Sequence, residues 1–196
     1  LTMQLTVNRS QYAAEEEARS YWRQVLDAAR DVPGVESASL VGRLPLEQQG
    51  GYWAVWAEGR PLEPGEVPEA RMMKTVSTEY FQTLGITLVE GRTFQESDLA
   101  EPRSVTVVNR ALARSLWPGE SALGKRIRLG RSPPAWRTVV GVVEDVREQG
   151  LGEPVPASFY GLGEPEGPGW QTWSMHLLAR TDEPPPALVA PLQRAV

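Results

Sequence analysis

The chain has 196 residues, a formal net charge of -5 and a pI near 5.1, so it lacks the cationic surface that nucleic-acid binding requires. Hydrophobic residues make up 41% and charged residues 23%, which supplies a core and excludes a disordered polyelectrolyte. With no Cys, structural disulfides, thiolate metal sites and Cys nucleophiles are excluded as well.

In chain order, residues 2–7 alternate apolar and polar, which predicts a strand. Asn8 or Ser10 then caps a helix over about 11–31, with Ala14, Ala18, Tyr21, Trp22, Val25, Leu26 and Ala29 on one face. Its acids come early and its arginines late, as the helix dipole prefers. Pro33-Gly34 stops it, and Val35–Val41 returns as a strand. Strands follow at Tyr52–Glu58 and Arg71–Val76, separated by a Pro/Gly/Glu turn region. A short helix, Glu79–Leu84, closes at Gly85 and leads to a short strand, Ile86–Val89. Arg92–Glu101 reads as a polar loop. Val105–Val108 is a buried strand, and Asn109 caps a helix that ends at Pro118-Gly119. Arg126–Leu129 alternates, and Trp136–Val146 is the strongest strand, rich in Val and interrupted by Gly141, where a bulge is expected. Ser158–Tyr160 is short, Gly161–Gly169 is a loop, Trp173–Ala179 is a strand, and Pro184-Pro185-Pro186 opens a last helix.

The pattern is α+β, with mixed sheets and β-α-β elements. The β-α-β opening and the strand-helix ending pair as two halves of one subdomain. Residues 1–45 and 166–196 are assigned to it, and 46–165 to an inserted, strand-rich subdomain. No stretch approaches the roughly 20 apolar residues of a membrane helix. The sequence opens at Leu1 without an initiator Met and closes in what reads as an unfinished helix. It is therefore expected to be a piece of a longer protein, with any membrane anchor outside it.

Candidate chemistry is sparse. Gly119 to Arg126 nearly spells a phosphate-binding loop, but Arg126 stands where the magnesium-holding Ser or Thr belongs. The stretch also follows a helix and enters a strand, the reverse of the required order. Gly161, Gly163 and Gly167 have the wrong spacing for a dinucleotide loop. His176 is the only histidine and has no metal-ligand spacing around it, so an edge or core role is favoured. Glu144 and Asp145 are adjacent in a strand end, where side chains diverge, which speaks against a paired acid and base. No Ser sits in a nucleophile elbow. Trp53, Trp56, Trp170 and Trp173 make either core or a binding surface. The chain is expected not to be an enzyme and to need no cofactor.

One block carries a resemblance. It runs from Thr75 through Gly85, Gly91, Arg92, Phe94 and Asp98, then through Val107-Val108-Asn109 to Trp117-Pro118-Gly119. It continues with Leu123-Gly124-Lys125-Arg126-Ile127 and Val139-Val140-Gly141-Val142-Val143-Glu144-Asp145-Val146. In order and spacing this resembles the MacB-like periplasmic core domain of FtsX-like ABC transporter permeases, closest in flavour to the orphan permeases abundant in acidobacteria. Pro33-Gly34-Val35 and Leu44-Pro45-Leu46 match the upstream part. The resemblance implies a periplasmic domain of a bacterial inner-membrane protein. It implies a porter-like subdomain from both chain ends and an inserted second one. It also implies transmembrane helices outside this chain, a cytoplasmic ABC ATPase, a dimeric permease and a periplasmic protein partner. ATP-driven motion would be transmitted to such a domain. The competing expectation is an extracytoplasmic ligand-binding sensory domain with a Trp-lined cleft. Gly85, Gly91, Arg92, Asp98, Asn109, Gly124, Gly141 and Asp145 are read as fold determinants rather than a reaction centre.

Overall fold

The structure is a computed structural model and describes residues 1–7, 15–47, 51–63, 65–129, 136–163, 174–182 and 184–196. The proposed cap residues Asn8 and Ser10, and Trp170 and Trp173, lie outside the described residues.

Strand β1 (Thr2–Thr6) is followed by helix α1 (Glu15–Arg30) and strand β2 (Val35–Val41). The predicted face of α1 is the buried one: Ala18, Trp22, Val25, Leu26 and Ala29 all enter the core. Near the other end of the chain come strand β10 (Ser174–Thr181) and helix α4 (Pro185–Ala195). Strand β10 lies antiparallel between β1 and β2, with Met3 opposite Leu177 on one side and Leu177 opposite Leu40 on the other. The opening is thus a split β-α-β unit whose gap is filled by the C-terminal strand. Trp22, Leu26, Leu40, Leu177, Leu188 and Leu192 gather in one core, drawn from both ends of the chain.

The middle of the chain builds a second body. It contains β3 (Gly51–Ala57), β4 (Ala70–Val76), α2 (Tyr80–Leu84), β5 (Leu88–Gly91), β6 (Val105–Asn109), α3 (Arg110–Leu116), β7 (Arg126–Leu129), β8 (Arg137–Val143) and β9 (Ser158–Leu162). Strands pair in the order β4-β3-β7-β8-β6-β9, and β9 pairs back to β4. Six strands therefore close into a ring, which leaves few free edges. Strand β5 extends the β8 edge beyond β7. Two apolar clusters fill this body. One gathers Val55, Met73, Leu112, Trp117, Ile127 and Phe159; the other gathers Val76, Tyr80, Phe81, Phe94, Val107 and Tyr160.

The bulge expected near Gly141 is present. Thr106 faces Val139 and Val107 faces Gly141, so Val140 is the extra residue. One inserted residue shifts the side-chain alternation, which is why Val139 and Val142, three apart, share one cluster.

Besides small shifts, such as β5 at Leu88–Gly91 rather than Ile86–Val89, three boundaries that differ from the sequence reading have a clear physical cause. The polar loop after Arg92 holds a 3-10 turn, Glu96–Ala100, which Asp98 organises. Strand β8 stops at Val143 rather than Val146, because Glu144 and Asp145 turn to helix α3. Gly161 and Leu162 belong to β9 rather than to the following loop, since parallel pairing with β4 continues to Leu162 opposite Val76.

Candidate functional site

The residues singled out in the sequence cluster around the second body. Gly85 ends α2 with φ 69°, and its N–H donates to the Gln82 carbonyl. A Cβ there would lie 2.7 Å from the Arg180 guanidinium, which itself donates to the Thr83 carbonyl at 3.0 Å. Gly91 and Gly141 face each other across the β5–β8 pair. Gly124 has φ 74° with open space beside it, so backbone conformation alone asks for glycine there.

Asn109 caps α3: its Oδ1 accepts from Leu112 N at 2.9 Å and from Ser158 N at 2.9 Å. Its Nδ2 donates to the Pro156 carbonyl at 2.9 Å. One buried amide thus joins helix, strand and loop. Asp145 Oδ1 accepts from Ala111 N at 2.9 Å, and Glu144 pairs with Arg110 at 3.1 Å. Both acids are spent on the start of α3, so they form no acid-base pair.

Arg92 and Asp98 are bound more tightly than a surface pair. Arg92 Nη1 and Nη2 donate to the two Asp98 oxygens at 2.7 and 2.8 Å, and Gln95 N adds a third bond at 2.8 Å. The Asp98 side chain is only 8% exposed. The guanidinium holds the Asp98 carboxyl below its usual range, with the Gln95 amide helping and burial opposing. A depressed folded-state pKa means the pair stabilises the fold above the ordinary Asp value near 3.9 and is lost as pH falls through the folded value. Asp98→Asn is expected to cost about 1.5–3 kcal/mol at neutral pH and to flatten the stability profile below about pH 4, as read by urea melts across pH.

The remaining candidates are ordinary. Lys125 of the near-P-loop pairs with Glu120 at 2.8 Å. His176 Nε2 lies 3.6 Å from Glu47. Among the described residues no three His, Asp or Glu side chains gather as a metal site. Trp53 packs partly buried on the second body. Trp56 is half-buried under Arg128, whose Cζ is 5.1 Å from the Trp56 ring and 5.5 Å from that of Trp136.

What the sequence reading missed is a cleft of about 590 Å³ between the two bodies. Helix α1 forms one wall through Trp22 and Leu26, and β2, β4, the end of β9 and the turn holding Glu96 and Leu99 contribute to the others. Neither Trp53 nor Trp56 lines it. Lys74 and Glu148 also line it, with Lys74 Nζ 2.5 Å from Glu148 Oε2 and side chains 4% and 3% exposed. Burial pushes the Lys74 ammonium down and the Glu148 carboxyl up, and each partner's charge opposes that. Nearby, the Tyr80 and Tyr160 hydroxyls are buried without a hydrogen-bond partner, and burial raises both well above the usual phenol range. The one available signal was that Lys74 is one of only two lysines and sits inside an apolar strand.

These observations define the class: a two-body α+β domain, one body made from both chain ends and the other inserted as a closed ring of strands. The chain belongs to the MacB-like periplasmic core domain family, whose model matches residues 2–192. A stretch of 77 residues, 39% of this chain, is 34% identical to the macrolide export ATP-binding/permease protein MacB of Chromobacterium violaceum. That stretch spans 11% of the relative's length. The fold is similar to the crystal structure of the periplasmic region of MacB from Actinobacillus actinomycetemcomitans, with TM-score 0.62 and 15% identity over 98% of this chain and 80% of that one. It is also similar to the extracellular domain of the noncanonic ABC-type transporter YknZ from Gram-positive bacteria, with TM-score 0.58 and 14% identity over 97% and 88% of the two chains. A domain of a putative permease protein from Porphyromonas gingivalis matches with TM-score 0.55 and 18% identity over 86% and 72%. No helix among the described residues is long and apolar enough to cross a membrane.

Proposed function

We propose that this chain is the extracytoplasmic domain through which an ABC permease carries ATP-driven motion across the membrane. The observation that carries the reading is that Leu1 and Val196 both pack on the same core. Leu1 is tied further, its N-terminal nitrogen donating to the Ala179 carbonyl at 2.8 Å. Force entering through segments flanking both ends would therefore act on one rigid body.

That body meets the ring of strands where Val41 and Leu178 pack into the apolar cluster of Val76, Tyr80 and Tyr160. In the sheet, β2 and β4 share only the pair Val41 and Val76. Gly42 N donates to Thr75 O and Ser77 N to Leu40 O, both at 2.9 Å. Beside the sheet, Arg30 pairs with Glu79 at 2.7 Å. We assign residues 1–45 and 166–196 to the driven body and 46–165 to the driven-against body. The eight motif residues serve as its framework. The Trp56–Arg128–Trp136 stack is the surface proposed for a periplasmic protein partner, since Trp and Arg dominate interface energetics. The wider assembly in this reading is a dimeric permease with its own membrane helices and a cytoplasmic ATPase.

The test is on the full-length gene product in detergent. An ABC ATPase subunit is expected to co-purify with it. These 196 residues contain no Cys, so once any Cys elsewhere in the full-length product is replaced, spin labels at Asp31→Cys and Glu66→Cys report the spacing of the two bodies. The label distance is expected to change on ATP trapping. Absence of an ATPase would sink the reading. A bound ATPase with an unchanged distance would sink the transmission step.

A further inference from the structure

The geometry points to the cleft between α1 and β4 as a binding site for a small, uncharged molecule that carries a carboxamide on an apolar body. This stands apart from the permease reading and holds or fails without it.

The accessible walls are mostly apolar, and Lys74 and Glu148 are the charged pair buried on them. That combination, an apolar pocket with a few convergent polar groups, is the usual form of a small-molecule site. Glu148 Oε1 is buried and accepts no hydrogen bond. Lys74 Nζ is buried too and, although it lies 2.5 Å from Glu148 Oε2 as an ion pair, it makes no hydrogen bond, so the three N–H groups of its ammonium remain to be satisfied. The pair therefore leaves a bare acceptor and spare donors side by side. Buried groups of this kind are costly unless satisfied.

The pairing decides the ligand's charge. Lys74 and Glu148 neutralise each other, so neither presents net charge to a guest. The other charges on the cleft are engaged too. Arg30 is held by Asp27 and Glu79, and Arg19, Arg23 and Arg43 have partners of their own, while Glu47 accepts from Leu44 N at 3.0 Å and Glu96 from Thr78 Oγ1 at 3.4 Å. A carboxylate would meet Glu148, and an ammonium would meet Lys74. A carboxamide offers a carbonyl oxygen to Lys74 and an N–H to Glu148 Oε1 from one planar group. Its apolar remainder would lie against Trp22, Leu40, Met72 and Leu162.

The experiment titrates three probes of equal length, hexanamide, hexanoate and hexylammonium, into the isotopically labelled 196-residue chain, followed by NMR. Hexanamide is expected to shift the amides of Leu40, Gly42, Lys74 and Leu162 saturably, with a Kd on the order of millimolar for so small a probe. Hexanoate and hexylammonium are expected to bind at least ~10-fold more weakly, because each leaves a buried polar group unpaired. In the double variant Lys74→Met/Glu148→Leu the shape of the cleft is kept and the preference for the amide should vanish. The proposal is overturned if no probe saturates at these residues. It is equally overturned if either charged probe matches the amide in the unmodified chain, or if the double variant keeps the preference. Should the variant fail to fold, the three probes on the unmodified chain decide the matter alone.

Discussion

Glu148→Ala is expected to lower unfolding stability by about 3–5 kcal/mol, because it strands the Lys74 ammonium in a buried site. Lys74→Ala should cost about the same for the converse reason. The double replacement Lys74→Met/Glu148→Leu should be neutral or should gain about 1–4 kcal/mol, since the pair's attraction scarcely offsets the desolvation of two ions. Urea melts of the three variants form a double-mutant cycle, and a double variant as unstable as the singles would refute the argument. The pH dependence has a definite sign. Burial lowers the Lys74 pKa, and the Glu148 charge partly restores it. With Glu148 gone, that restoring charge is lost and only the more distant influence of Glu47 remains. The folded chain then holds its Lys74 proton less firmly than the unfolded chain does. Stability of the Glu148→Ala variant should therefore rise with pH between the depressed folded value and the ordinary Lys value near 10.4, relative to the unmodified chain. A flat difference over that range would mean that water reaches Lys74 and solvates its charge.

The placement of this pair shows where sequence reading stops. Lys74 sits in a strand that the sequence reading places at Arg71–Val76, yet its partner lies 74 residues later, in an irregular segment after β8. No periodicity links them, because a loop contact is set by tertiary closure rather than by local pattern. Elements with a strong local code were legible. The buried face of α1, the limits of β2 at Val35 and Val41, and the cap at Asn109 follow from spacing and from the chemistry of a side-chain acceptor. The insertion of β10 between β1 and β2 was legible only in outline, as two ends that belong together. The closing of the strand ring through the β4–β9 pair was not, since parallel pairing across about 85 residues leaves no mark on either strand. Asp98 falls in the stretch that reads as a polar loop. Its burial depends on the 3-10 turn folding over it, which polar composition concealed.

Gly141→Ala is the second large effect, and it tests the central motif as packing rather than chemistry. A Cβ at Gly141 would lie 2.0 Å from the Arg92 carbonyl oxygen and 2.9 Å from its carbon. Both are backbone atoms, held by the bond from Arg92 N to the Val140 carbonyl at 2.9 Å, so no side chain can swing away. Across the pair, Gly91 has φ 76°, and a Cβ there would lie 2.4 Å from the Val140 carbonyl oxygen. The two strands approach so closely that each needs the other to lack a side chain. Forcing a methyl group between them must separate β5 from β8 and displace Arg92, and with it the Asp98 anchor of the following turn. The expected cost is about 3 kcal/mol, at the upper end for overpacking. Two other glycines set the scale. Gly124→Ala meets no atom within 4 Å but keeps φ 74°, so it should cost about 1–2 kcal/mol from backbone conformation alone. Gly152→Ala meets nothing within 4 Å and is exposed, so it should stay within about 0.5 kcal/mol of the unmodified chain. Chemical denaturation of the three variants should rank them in that order. If Gly141→Ala melts with Gly152→Ala, the β5–β8 crossing is looser than its geometry requires. The Val-Gly-Val segment would then owe its glycine to something other than the approach of Arg92.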